Sequence, residues 1–234
     1  MPSDGLVRRS VACPPDKRSL DVPGAARKVQ RKEGGRFWQE IFNAATMLLP
    51  SIYVLSCSHA AASRARFPEG VWVTALATYA HCIASVIFHL ECARRDRWDW
   101  DFDHFRSPFR VLDLTFIHAS CVAYGFALSR GDTLFNVVCF LANLACVARL
   151  HWRLMRRLPG TPADSHRIVG NIAVYTMPML MRGDLANYCC LMLCYGLSGV
   201  FWTLNERLCG WGHGLFHVML LPCAHYVLQS ATLA

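Results

Sequence analysis

Residues 70–90, GVWVTALATYAHCIASVIFHL, decide the fold, because this stretch contains no Lys, Arg, Asp or Glu. As a helix with a rise of about 1.5 Å per residue, it would cross the ~30 Å hydrocarbon core of a bilayer. Residues 41–63 form a second stretch without charge. Hydrophobic residues make up 54% of the chain and charged residues 17%, a more apolar mix than soluble domains have. The composition therefore predicts an integral membrane protein.

The apolar pattern predicts an all-α fold, a bundle of seven transmembrane helices. The spans are expected at 41–60, 71–91, 111–129, 133–149, 168–181, 185–205 and 213–232. The fifth span is short and contains Pro178, which is typical of a tilted or re-entrant segment. Residues 1–36 are polar and lack the apolar region of a signal peptide. We therefore predict a disordered basic tail before one membrane domain of residues 37–234.

Lys and Arg are divided unevenly between the two sides of these spans. The side that carries the N-terminus holds 20 of the 24 Lys and Arg residues, and the opposite side holds four. The positive-inside rule then predicts a cytoplasmic N-terminus and an extracytoplasmic C-terminus. Because this topology and contact with anionic lipid headgroups account for the net charge of +8, and no nucleic-acid motif is found, we expect no nucleic-acid partner.

Five residues whose side chains suit catalysis or metal binding lie at span ends that this topology places on one side of the membrane. Ser85 and His89 (SVIFH) end the second span, Asp113 opens the third, and His213 and His217 (HGLFH) open the seventh. The Ser/His and His/His pairs are spaced i, i+4, so the members of each pair share a helix face. Three neutral imidazoles, an open fourth position and a carboxylate suit a catalytic zinc ion. A carboxylate inside a span is also a functional-site hypothesis by itself.

These residues also have structural interpretations. A single transmembrane histidine usually bonds to a neighbouring helix, and serine is an ordinary small residue between helices. Asp113 has an alternative as an ion pair with Arg110, one turn before it. Three further histidines lie deeper in the predicted spans than these five residues: His81, His118 and His225. Two interpretations are open for them, the lining of a polar cavity or a rival metal site. We favour the shallow set because it includes the carboxylate and a histidine pair on one helix turn.

The five-part pattern resembles the signature of the CREST superfamily. This superfamily unites alkaline ceramidases, progestin/adipoQ receptors with haemolysin III proteins, GPI-lipid-remodelling hydrolases and myomaker-like proteins, all seven-span membrane proteins. The resemblance covers the chain from about residue 37, and it implies that zinc is the cofactor. It implies the ligands His89, His213 and His217, with Asp113 and Ser85 near the water that the metal activates. EIFNAAT (40–46) and YGLSGVFW (195–202) resemble different branches, so the branch stays open.

The function that the resemblance implies is zinc-dependent hydrolysis of an amide or ester bond in a membrane lipid, ceramide-like amides being the leading case. In this hypothesis, Asp113 takes the proton of the attacking water and passes it to the leaving group. Ser85 hydrogen-bonds the developing oxyanion or orients the water. The alternative is a receptor-like or myomaker-like protein whose zinc site is structural and has no turnover.

Overall fold

The computed structural model describes residues 23–98, 107–158 and 162–234, which form seven α-helices and, within these ranges, no strand. The predicted all-α class is therefore confirmed for this part of the chain. Each predicted span overlaps one helix. The helices are α1 Pro23–Ala62, α2 Pro68–Trp98, α3 Pro108–Leu128, α4 Thr133–Met155, α5 Pro162–Met181, α6 Leu185–Thr203 and α7 Gly212–Leu233.

Five of the helices are long and apolar enough to cross a membrane. The candidate spans are Arg36–Ala62, Pro68–Arg95, Pro108–Leu128, Thr133–Met155 and Leu185–Thr203. They indicate an integral, multi-pass membrane protein. The α5 and α7 helices form where spans were predicted but are not among these five. Both are more polar, since α5 carries Asp164 and Arg167 near its start and α7 carries three histidines.

Helix α1 begins earlier than the sequence analysis predicts. Its first residue is Pro23, so residues 23–36 of the predicted tail are helical in the structure, and their predicted disorder is not confirmed. The stretch AARKVQRK (25–32) consists mainly of strong helix formers, and proline is favoured in a first helical turn. Together these residues allow the helix to extend ahead of the apolar span. Residues 1–22 of the predicted tail lie outside the described residues.

The centre of the bundle is formed by α1, α2, α3 and α7. Helix α2 packs against α1, α3 and α7, while α7 also packs against α1 and α6, and α3 packs against α4 and α5. Helices α4 and α6 lie at the periphery and expose apolar side chains such as Leu141 and Leu193. An apolar outer surface is what contact with lipid requires. Because α1, α2 and α7 pack on one another, the functional side chains of all three helices lie within reach of each other.

Arg182 ties three elements together at the end of α7 away from its first two histidines. Its guanidinium donates to the carbonyl of Leu128 at the end of α3 and to Ser230 Oγ on α7, at 3.0 Å. Ser230 in turn donates to Oδ2 of Asp184 at 2.6 Å. The last carbonyls of a helix lack hydrogen-bond partners within the helix. Arg182 therefore gives the Leu128 carbonyl a donor, and its contacts fix the end of α3 relative to α7.

Candidate metal centre

The three predicted zinc ligands meet where the last turns of α2 pack against the start of α7. One nitrogen from each of His89, His213 and His217 lies within 4.8 Å of the others. The Nε2 atoms of His213 and His217 are 3.1 Å apart, in agreement with i, i+4 neighbours on one helix face. His89 and His217 are buried, and His213 is half-buried. Within the described part of the chain, these three histidines are the potential metal ligands whose side chains converge.

Helix α1 supplies a hydrogen-bond acceptor to two of the three rings. Nδ1 of His89 lies 2.6 Å from Oε2 of Glu40, and Nδ1 of His217 lies 3.3 Å from the backbone carbonyl of Asn43. A carboxylate and a carbonyl can only accept here, so Nδ1 is the protonated nitrogen of each neutral ring and Nε2 keeps its lone pair. This is the tautomer in which a histidine binds a metal through Nε2 while an outer contact orients the ring.

The donor set fits zinc. Two nitrogens bound to a tetrahedral ion at about 2.0–2.1 Å would be about 3.3 Å apart, close to the 3.1 Å between the Nε2 atoms of His213 and His217. Three neutral imidazoles are also the donor set of zinc sites that keep one position for water or substrate. The Glu40 carboxylate, in contact with His89, provides negative charge near the positive ion. The three residues can therefore hold zinc.

Asp113 lies beside a different histidine. Its Oδ1 is 3.9 Å from Nε2 of His81, and this oxygen is buried without a hydrogen-bond partner in the described residues. A buried acceptor without a partner costs free energy. The guanidinium of Arg110, the alternative partner, lies over the ring of Phe88 at 5.9 Å from its centroid and is also near enough to interact electrostatically with Asp113. Asp113 thus contacts His81 and not the three converging imidazoles.

Ser85 lies one turn before His89 on α2 and is buried. His81, Ser85 and His89 follow one another at intervals of four residues, so they form a stripe on one face of the helix. The stripe extends from the His81–Asp113 pair to the three imidazoles. The structure therefore brings His89, His213 and His217 into one group and places Ser85 and Asp113 along the stripe that leads to it.

The deeper histidines each have a separate polar partner from another helix. Nδ1 of His118 lies 2.9 Å from the side-chain oxygen of Asn143, and Nδ1 of His225 lies 2.6 Å from the hydroxyl of Tyr53. The third deeper histidine is the neighbour of Asp113. Within the described ranges these rings do not converge with one another, so the geometry gives no support to a rival metal site. Interhelical hydrogen bonds account for the placement of His118 and His225.

Sequence reasoning missed Glu40 and Asn43 as site residues. The signal was present, because residues three apart on a helix share a face and both lie in the EIFNAAT stretch. Glu40, however, precedes the predicted start of the first span at residue 41, where a charged side chain is expected simply as a flank. Only the packing of α1 against α2 and α7 shows that these two residues contact His89 and His217.

Comparison of the chain with protein-family models, with curated proteins and with solved structures finds no match. The functional interpretation of the centre therefore depends on the chemistry and geometry of its own residues. The CREST resemblance stays a hypothesis based on the five-part pattern.

The start of α7 is fixed by a close contact at Gly212, immediately before His213. A Cβ at this position would lie 2.4 Å from the carbonyl oxygen of Phe201 and 2.7 Å from Cα of Asn205. Both are backbone atoms, which cannot rotate aside. The Asn205 side chain also accepts a hydrogen bond from the His213 backbone N–H at 2.9 Å, which satisfies one of the free donors at the helix start. The position of His213 therefore depends on glycine at 212.

We expect Gly212→Ala to lower both the thermal unfolding temperature in detergent and the zinc content. Overpacking costs about 1–3 kcal/mol, and relief of the contact has to move the turn that carries His213. Gly196→Ala is the matched control, because a Cβ at Gly196 in α6 meets nothing within 4 Å. Its unfolding temperature should be unchanged or higher, since alanine is favoured over glycine inside a helix. Equal unfolding temperatures and equal zinc contents in the two variants would contradict the dependence of the His213 position on glycine at 212.

Proposed function

We propose that this chain is an integral membrane hydrolase in which His89, His213 and His217 bind zinc and which cleaves an amide or ester bond of a membrane lipid. The main support is the convergence of three imidazole nitrogens, two of whose rings are oriented through Nδ1. Membership of the CREST superfamily is part of the proposal and makes ceramide-like amides the leading substrates.

The protein's own groups handle the proton and the developing charge. Zinc bound by three imidazoles supplies Lewis acidity, which acidifies water and polarises a carbonyl oxygen. Oδ1 of Asp113 accepts the proton of the attacking water and returns it to the leaving amine or alkoxide. Ser85 donates a hydrogen bond to the developing oxyanion or orients the water. The burial of both residues keeps bulk water away and so strengthens these interactions.

A lipid substrate suits the position of this centre. His89 lies in the last turns of a helix that is long and apolar enough to cross a membrane, and the neighbouring helices expose apolar side chains. In this proposal a lipid reaches the centre from within the bilayer. Since the basic loops favour a cytoplasmic N-terminus, the end of α2 and the start of α7 lie at the cytoplasmic edge.

The function is tested by assaying purified protein in detergent and in bilayers against a panel of ceramides and ester lipids. Fatty-acid release should be detected by mass spectrometry for the wild type and lost in His217→Ala. A zinc-loaded wild type that hydrolyses no member of the panel would contradict the proposed activity while leaving the metal centre in place.

The proposed topology has seven crossings, with the N-terminus in the cytoplasm and the C-terminus outside. A tag before Met1 should be protected in intact cells, whereas a tag after Ala234 should be accessible. Both tags on one side would mean that one helix does not cross, and the more polar α5 or α7 would be the first to reconsider.

A structural zinc site is the second candidate, in a receptor-like or myomaker-like protein without turnover. It is favoured by the number of helices that meet at the centre, because α2 and α7 carry the ligands and α1 carries their outer contacts. A metal ion there would hold three helices together. In that case, loss of a ligand lowers stability, and the wild type turns over no lipid.

A further inference from the structure

We infer that Glu40 and Asn43 form a clamp on α1 that orients two of the three zinc ligands and so sets the affinity of the centre for zinc. The clamp rests on the proposed zinc centre, and it adds two positioning residues from a third helix. Neither residue supplies a nitrogen of the converging group. Both act through the rings of His89 and His217.

Glu40 holds the ring of His89. The 2.6 Å contact between Oε2 and Nδ1 is short, as expected for a charge-assisted hydrogen bond. The side chain of His89 is only 2% exposed, and that of Glu40 is 18% exposed, so water competes little for the bond. A carboxylate on Nδ1 both prevents rotation of the ring and raises the basicity of Nε2.

Asn43 links the two halves of the clamp. Its side-chain Nδ2 donates to Oε2 of Glu40 at 3.3 Å, and its backbone carbonyl accepts from Nδ1 of His217 at 3.3 Å. One residue thus contacts the carboxylate behind His89 and also the ring of His217. Because Glu40 and Asn43 are one turn apart on a single helix, any displacement of α1 changes the orientation of both rings together.

Contacts outside the metal ligands hold the clamp in place. A Cβ at Gly214 would lie 2.4 Å from Cδ1 of Phe42 and 3.0 Å from Oδ1 of Asn43, so α1 and α7 approach at a point where α7 has no side chain. Gln39 also donates to the carbonyl of Cys209 at 2.7 Å, which attaches α1 to the turn before α7. The distance between the Asn43 carbonyl and His217 depends on both contacts.

The charge of Glu40 also matters for a divalent ion. Three neutral imidazoles leave the ion's full charge in a buried setting, where an unpaired charge is unfavourable. The carboxylate, bonded to one ligand, offsets part of that charge across the ring. An amide at this position keeps the shape and a weaker acceptor but removes the charge.

Glu40→Gln should therefore weaken zinc binding by about 10–100-fold, the usual effect of losing an outer contact of a ligand. Zinc affinity is measured in detergent by competition with a chromophoric chelator. The visible spectrum of the cobalt(II)-loaded protein should also shift, because the donor strength of His89 changes. Glu40→Ala should weaken binding further than Glu40→Gln, since it removes the acceptor as well as the charge.

Glu91→Gln is the matched control for these measurements. Glu91 lies two residues after His89, but its carboxylate is bonded to Arg94 at 2.8 Å and to Arg95 at 2.5 Å. Removing this carboxylate takes away one negative charge near the same helix end without changing the contact to His89. Zinc affinity and the cobalt spectrum should match those of the wild type.

Three outcomes would overturn the clamp. Wild-type zinc affinity and an unchanged cobalt spectrum in Glu40→Gln would exclude it while leaving the zinc centre intact. A less stable metal-free Glu40→Gln with unchanged zinc affinity would assign Glu40 to packing alone. Failure of the wild type to bind zinc would exclude both the clamp and the proposed function.

Discussion

Asp113→Asn should lower lipid hydrolysis by about 10²–10⁴-fold, the usual contribution of a general base, while zinc content and thermal stability stay near wild type. The amide has the same size as the carboxylate, but it cannot accept and return a proton. Because Asp113 lies beside His81 rather than within the converging imidazoles, its replacement leaves the metal ligands intact. Hydrolysis is measured with the lipid that the panel identifies, and zinc by elemental analysis of the same samples.

Two further variants complete this comparison. Ser85→Ala should lose less activity than Asp113→Asn, about 10²–10³-fold at most, as for a single oxyanion donor. Asp132→Asn is the control, because Asp132 caps α4 through the Phe135 N–H at 2.7 Å and asparagine is an equally good cap. If Asp113→Asn unfolds the protein and the wild type turns over no lipid, the carboxylate is structural and the structural-zinc candidate is preferred.

His217→Ala should remove most of the bound zinc, with a larger loss of affinity than the about 10–100-fold expected for an outer contact. Its nitrogen belongs to the converging group, and two imidazoles cannot satisfy a structural or catalytic zinc ion. Zinc per chain is measured by elemental analysis after purification in detergent without added metal.

His225→Ala is the control for this loss of zinc. It removes a histidine from the same helix, eight residues further on, whose Nδ1 is bonded to Tyr53. The His225→Ala protein should retain its zinc, although loss of the interhelical hydrogen bond should lower its stability by roughly 1 kcal/mol. Loss of zinc in His225→Ala together with retention in His217→Ala would move the metal to the deeper histidines.

Much of the fold follows from local properties of the sequence. Stretches without charge, such as residues 70–90, specify membrane helices almost independently of tertiary context, because an unsatisfied backbone in lipid leaves few alternatives to a helix. Helices α5 and α7 are harder to classify, since residues such as Asp164 and His217 lower their apolar character. The helical extension before residue 36 was missed because a polar composition outweighed its helix propensity.

The convergence of His89, His213 and His217 was predictable because two simple rules combine. Spacing of i, i+4 places His213 and His217 on one face, and alternating spans place the end of α2 beside the start of α7. The contact between His81 and Asp113 and the contact between Glu40 and His89 depend instead on how the helices rotate and approach. Helix rotation and the distance between helices are set by packing at positions such as Gly214. The absence of a side chain there gives no signal in a hydropathy pattern.

X-ray absorption at the zinc edge of the purified protein is the most direct test of the central claim, that three imidazoles hold zinc. We expect about one zinc per chain, with nitrogen or oxygen neighbours at about 2.0–2.1 Å and the outer scattering of three imidazoles. A protein without zinc, or a spectrum with sulfur neighbours at about 2.3 Å, would contradict the assignment of His89, His213 and His217.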